Sequence, residues 1–242
     1  MRKSLAILMA ALAMASCSRP APQRPTPYYP SVPNQTPRAD GTGLINQKID
    51  AGTFARLQRA TATLGQCKAE LDAARVTFSP TPDRVNSATC GLTDAGVLGA
   101  DYGTVARMAP SDVTTTCALA AAISVWRRQS VEPAAREILG SDVVQIDHMG
   151  AYACRNVNNG AGSTRISAHS QAAALDFAGV RLRDGRRITV LNDWNGDTPE
   201  ARFLRRIRDD ACRIFGTTLS PDYNAVHADH LHLEATDTRF CR

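Results

Sequence analysis

Aromatic residues make up only 5% of this 242-residue chain, and its basic residues are scattered. That combination excludes a nucleic-acid interface built on a clustered basic face with stacking side chains. The N-terminal apolar run, Leu5 to Ala15, falls short of the roughly 20 residues that a bilayer-spanning helix needs. No two of the seven cysteines stand at C-x-x-C spacing, so these sulfurs read as disulfide staples and not as zinc or redox ligands. Lysine contributes little to the net charge of +5; arginine supplies nearly all of it. Such a balance suits anionic partners such as wall polymers or lipid head groups, and equally suits an arginine-rich solvated surface with no partner.

What is present bounds the answer further. With 43% apolar and 21% charged residues, the chain can build a packed core as one ordinary domain or two small ones. Met1-Arg2-Lys3 ahead of the apolar run has the form of a secretory signal. The run ends in Met14-Ala15-Ser16-Cys17, which resembles a bacterial lipobox, with cleavage before Cys17 and lipidation of that cysteine. Secretion with Cys17 left as a spare thiol is the alternative. Ser18 after a lipidated cysteine resembles outer-membrane sorting in a Gram-negative envelope. From Arg19 to Arg38 the chain is rich in proline, which favours extended conformations and acts as a semi-rigid spacer. The expected division is a signal peptide at 1–16, a lipidated cysteine and tether at 17–44, and a domain at 45–242. Removing Cys17 leaves six cysteines, an even number that in an exported chain predicts up to three disulfides among fifteen connectivities.

Within the domain, Ile45 to Val76 reads as helical, Thr77 to Gly91 as turn-rich, and Cys117 to Trp126 as a buried helix. Pro133 opens a second short helix that Gly140 closes. Val143 to Asp147, Leu175 to Phe177 and Val180 to Leu182 read as strands. Asp184-Gly185 predicts a hairpin to a strand at Ile188–Leu191. Thr198-Pro199-Glu200 starts a helix with Phe203, Leu204, Ile207, Ala211 and Ile214 on its apolar face, and His230 to Leu233 is a short strand. The fold class is α+β: a small, mostly antiparallel sheet carrying a zinc site, flanked by helices and stapled by disulfides.

Four of the five histidines stand in two segments, Ser167–Phe177 and His227–His232, each with a carboxylate close by. Imidazole and carboxylate are the ligands of open, catalytic zinc sites. His230 and His232, two apart on a strand, face one site, with Asp229 at its entrance. A zinc there would acidify a water, a nearby carboxylate or imidazole would take the proton, and an arginine would stabilise the oxyanion. His148 stands alone and reads as a satisfied structural residue.

Ser167-x-His169, Ala174-x-Asp176 and His230-x-His232 resemble the signature of the zinc peptidases grouped as lysostaphin-type, D-Ala-D-Ala and hedgehog-type. Within that group, Cys67 to Cys241 resembles the extensin-like C-terminal domain family of bacterial exported proteins. The marks are Cys90-Gly91-Leu92, Tyr152-Ala153-Cys154-Arg155, Ser167-Ala168-His169, Ala174-Leu175-Asp176, Asp193-Trp194, Ala211-Cys212-Arg213 and His227-x-Asp229-His230-x-His232. The resemblance implies His169, Asp176 and His232 as zinc ligands. It offers both Asp229 and His230 as general base, and Asp229 is favoured. It implies Arg155 at the polarised carbonyl, alongside a structural ion pair with Asp176 or Asp193 as the plainer role. Ser167 would touch substrate or fix local geometry, and His227 is auxiliary. Where the peptidase pattern usually has glycine, this chain has Ala172-Ala173-Ala174, which fits a short helix. The expected activity is zinc-dependent hydrolysis of peptidoglycan stem peptides or cross-links. The alternative is a non-catalytic wall-binding or structural envelope module. The expected partners are peptidoglycan or wall peptide and, through the lipid anchor, a membrane.

Overall fold

Two local rules, the period of the apolar residues and the side chains that cap helices, set most of the architecture. The computed structural model describes residues 43–157 and 165–242. The expected secretory signal, Cys17, nearly all of the Pro-rich tether and most of the 156–164 segment, whose Asn, Gly and Ser residues predict a surface loop, lie outside the described residues. A 3-10 turn at Leu44–Asn46 leads into α1 (Thr53–Ala60) and α2 (Leu64–Ala73), where the Thr63 side chain accepts the Gln66 N–H as a cap. The chain then enters β1 (Val76–Pro80), with Val76 and Phe78 buried at period two. The turn-rich reading of Thr77 to Gly91 is thus corrected over its first four residues, where the alternation is too short to stand out. β2 (Arg84–Val85), β3 (Gly91–Leu92), β4 (Ala95–Asp101), β5 (Arg107–Ala109) and β6 (Val113–Thr116) follow.

Thr116 caps α3 (Cys117–Trp126), which is buried almost all round. The helical path continues through Arg127–Val131, α4 (Glu132–Ala134) and Ala135–Leu139 before Gly140 ends it at φ +68°. Pro133 therefore lies inside a long helix and does not start a separate one. The wide π-helical turns on either side accommodate the N–H donor that the proline lacks. β7 (Val143–His148), β8 (Ala174–Leu182) and β9 (Arg187–Thr189) come next. The strand expected to reach Leu191 stops at Thr189, because the Thr189 side chain accepts the Asn192 N–H and caps α5 (Val190–Asp193). α6 (Pro199–Ile214), β10 (Thr217–Leu219), β11 (Leu231–Glu234) and β12 (Phe240–Cys241) complete the order.

The fold is α+β, and its main sheet is larger than expected. Its strand order is β12-β10-β11-β8-β7-β5, with β9 also on β8, making seven strands. Most pairings are antiparallel; β5 with β7 and β10 with β12 are parallel. A three-stranded sheet, β1-β4-β6, and the β2-β3 hairpin stand beside it. Trp126 of α3 meets Phe177 of β8 edge-on at 5.1 Å, and its indole N–H donates to the Ile207 carbonyl of α6 at 2.8 Å. That one side chain ties helix, helix and sheet together. Three disulfides, Cys67–Cys117, Cys90–Cys154 and Cys212–Cys241, select one of the fifteen pairings.

Charge is also buried in the helical layer. Arg128 donates to both oxygens of Asp101, to Asn46 Oδ1 at 2.9 Å and to the Ala74 carbonyl at 2.7 Å. Nearby, burial raises the Glu132 carboxyl from 4.5 to about 7, against the opposing pull of Arg136 and Arg127. A folded-state pKa above the unfolded value favours the protonated fold. The contribution is whole below about 4.5 and is lost as pH rises through about 7. Glu132→Gln cannot ionise. We expect it to flatten the decline in stability between those pH values and to raise the thermal midpoint at alkaline pH. The gain there should be on the order of 2–3 kcal/mol, checked by melting both proteins across that range.

Candidate functional site

Period-two geometry on two adjacent strands builds the site. Leu175 and Phe177 of β8 point into the apolar core, so Asp176 between them points to the opposite face. Across the ladder, Leu231 faces Phe177, His232 faces Asp176 and Leu233 faces Leu175. His232 therefore shares the face of Asp176, as does Glu234 two residues on. His230, just before the strand, turns the same way, with its Nε2 3.6 Å from Asp176 Oδ1.

His169 comes from a separate turn, the 3-10 segment Ala168–Gln171. Ser167 is buried and caps this turn, its hydroxyl accepting the His169 N–H at 3.4 Å. The Ala153 N–H donates to the His169 carbonyl at 3.0 Å. Ser167 thus holds the backbone at His169. The turn ends at Ala172 in the left-handed region, φ +55°, so the alanine triplet is not helical. Alanine there costs about 1 kcal/mol relative to glycine, while its methyl packs with Leu92 and Ala95.

Three donor atoms converge. His169 Nε2 lies 3.1 Å from Asp176 Oδ1 and 3.2 Å from His232 Nδ1, which is itself 2.8 Å from Asp176 Oδ1. All three residues are buried. Donors around a tetrahedral zinc at about 2.0 Å stand roughly 3.3 Å apart, so this spacing suits the ion with a slight outward shift. The far nitrogen of each imidazole is also held. His169 Nδ1 faces the Ala151 carbonyl at 3.0 Å, and His232 Nε2 faces Glu234 Oε1 at 2.8 Å. Outer partners of this kind orient metal-binding histidines and fix their tautomers. On donor chemistry and on its supporting contacts, the site fits zinc.

Without an ion, the cluster is held together by its own charges. Burial opposes ionisation of Asp176, yet hydrogen bonds from His169 and His232 outweigh it and hold the carboxyl far below the usual range. Burial likewise disfavours charge on His232, but its bonds to Asp176 and Glu234 raise it to about 9. Glu234 is held low by His232 in spite of its own burial.

Around this cluster, Arg155 Nη2 lies 3.6 Å from Asp176 Oδ2. The Ser167 N–H donates to the Arg155 carbonyl, and the Cys90–Cys154 disulfide fixes the residue before it. Asp229 Oδ1 lies 2.8 Å from His230 Nδ1, behind the ring and not at the donor cluster. His227 is buried beside them, with Nδ1 2.7 Å from Asn224 Oδ1 and its ring 5.1 Å from that of His230. Burial, then the neighbouring imidazoles, push His227 down to about 4. His148 is not one of the converging donors and is satisfied, facing the Pro110 carbonyl and accepting the Gly150 N–H.

Sequence reasoning missed Glu234. The signal was the continued period of His230-x-His232-x-Glu234, which sets three polar side chains on one face of an otherwise apolar strand. Glu234→Ala is expected to weaken zinc binding about 10–100-fold in a calorimetric titration, while Glu234→Gln should keep most of the affinity.

No curated protein and no solved structure matches the chain. Residues 65–242 match the family described as extensin-like protein C-terminus, and the chain belongs to that family.

Proposed function

We propose that the chain is an exported zinc peptidase that hydrolyses an amide in peptidoglycan stem peptides or cross-links. The observation that carries this reading is the buried His169–Asp176–His232 cluster, with both far imidazole nitrogens already engaged. The resemblance of its motifs to the zinc peptidases supports the reaction class. Zinc bound there would supply Lewis-acid polarisation of the scissile carbonyl and acidify a water.

The remaining roles follow from position. His230 presents Nε2 towards the shared Asp176 oxygen, while its Nδ1 is fixed by Asp229. We therefore assign proton transfer to His230 Nε2 and orientation of that ring to Asp229, reversing the order that the motif favours. To Arg155, which pairs with Asp176, we assign neutralisation of charge developing on the carbonyl oxygen. Export and acylation at Cys17 belong to the same reading, with a periplasm-facing protein held at a Gram-negative outer membrane. Support for them comes from the lipobox-like Met14–Cys17 and from three disulfides, which persist in oxidising compartments.

Zinc-loaded protein incubated with defined muropeptides, with products weighed by mass spectrometry, tests the activity. Two products whose masses sum to that of the substrate plus one water are expected, and unchanged substrate would remove the peptidase assignment. His230→Ala is expected to lower kcat about 10²–10⁴-fold with zinc retained. Full kcat in His230→Ala beside none in Asp229→Ala would return the base to Asp229. A second reading, a wall-binding module without turnover, has its own support. The cluster is already satisfied as an ion pair between Asp176 and protonated His232. Wall binding by a zinc-free protein that leaves muropeptides intact would select it.

A further inference from the structure

Beside the histidine cluster, two large rings that folding ordinarily hides are held in the open. Tyr223 is 44% exposed and Phe240 is 39% exposed. Their rings meet edge-to-face at 5.7 Å, and the Tyr223 ring also lies 5.7 Å from that of His227. His227 in turn touches His230 and His232. An unbroken series of ring contacts therefore joins this aromatic shelf to the candidate centre.

The shelf is rigid at both ends. The turn carrying Tyr223 is closed by its N–H donating to the Ser220 carbonyl. Asp222 accepts the Trp194 indole N–H at 2.9 Å, and Asn224 caps the following turn. Phe240 lies on β12, paired with Thr217, and its neighbour Cys241 is bonded to Cys212 of α6. Arg242 places its guanidinium 5.8 Å from the Phe240 ring, while Ser220 Oγ donates to the Arg242 carbonyl. Prearranged rings of this kind bind a ligand with little ordering cost.

Size and chemistry select the occupant. Two rings with Val226 nearby in sequence supply far less than the roughly 800 Å² per partner that a stable protein interface buries. What fits is a single flat, amphipathic group with an apolar face for the rings and a polar edge for the Tyr223 hydroxyl. A saccharide ring has that form. We propose that Tyr223 and Phe240 form a subsite for one sugar ring of the wall glycan that carries the peptide. This rests on the proposed substrate class and adds the carbohydrate part of it.

The test uses full-length protein kept metal-free with chelator, titrated with an N-acetylglucosamine oligomer in a calorimeter. Hydrolysis plays no part, so failure of the zinc assignment leaves this result unaffected. We expect the oligomer to bind, with about tenfold weaker affinity in Tyr223→Ala and in Phe240→Ala. Tyr223→Phe and Phe240→Tyr should stay close to the parent, as should Leu191→Ala, an exposed apolar residue on α5. Folding of each variant is checked by its melting curve. No binding by the parent, undiminished binding in both folded alanine variants, or binding of a stem peptide in place of the sugar would overturn the proposal.

Discussion

Asp176→Ala is expected to abolish zinc binding at micromolar metal and, with it, any hydrolysis of muropeptides. Asp176 Oδ1 is the one atom within 3.1 Å of both other donors, and its second oxygen faces Arg155. Losing it would remove a proposed ligand and the anion that neighbours two imidazoles and a guanidinium. The loss in zinc affinity should exceed the 10–100-fold typical of an outer partner. A related result follows from His232, which bonds to Asp176 and Glu234 and so keeps its proton up to about 9. Zinc must displace that proton, so uptake near neutral pH should release it and affinity should rise towards alkaline pH. Calorimetry in two buffers of different ionisation enthalpy measures the release. A zinc affinity independent of pH would contradict the role of His232.

Arg128→Ala is expected to be the most destabilising of the single changes considered. Its guanidinium spans three parts of the chain: Asp101 of β4, Asn46 of the first turn and the Ala74 carbonyl after α2. Truncation strands the buried Asp101 carboxylate, with Arg127 Nη1 still 3.8 Å away as a weaker partner. Breaking a buried pair in this way costs about 3–5 kcal/mol. In a domain of this size that is a fall on the order of 10 °C in the thermal midpoint. Arg183→Ala, which removes an exposed pair with Asp142, should cost no more than about 1 kcal/mol. Equal losses in the two variants would show that the Arg128 network carries no special weight.

The parts of the fold visible in the sequence were those with a strong local period or a cap. α6 is one, with Thr198 capping, Pro199 in the first turn and Ile207, Ala211 and Ile214 buried on one face. α3, apolar throughout, is another. Three-residue strands such as β5 and β10 leave too few residues for a period to register; partners distant in sequence define them. Pro133 was misleading because its usual meaning is a helix start, and the π-helical turns that accommodate it have no sequence sign.

At the site, residue types and the spacing of His230 and His232 were legible, because a strand's two-residue period reports directly on shared faces. The convergence of His169 with them was legible through the resemblance alone and not from spacing, since it depends on the Ser167-capped turn and on the 153–169 backbone contact. The relative placement of Asp229 and His230 was hidden for a similar reason. Neighbours in sequence, they differ in which one the backbone turns towards Asp176.

The most direct measurement of the central claim is native mass spectrometry of the zinc-equilibrated protein. One zinc per chain is predicted for the parent, and none for His169→Ala or Asp176→Ala at the same metal concentration. A parent protein without zinc, or a His169→Ala variant that still carries one ion per chain, would contradict it.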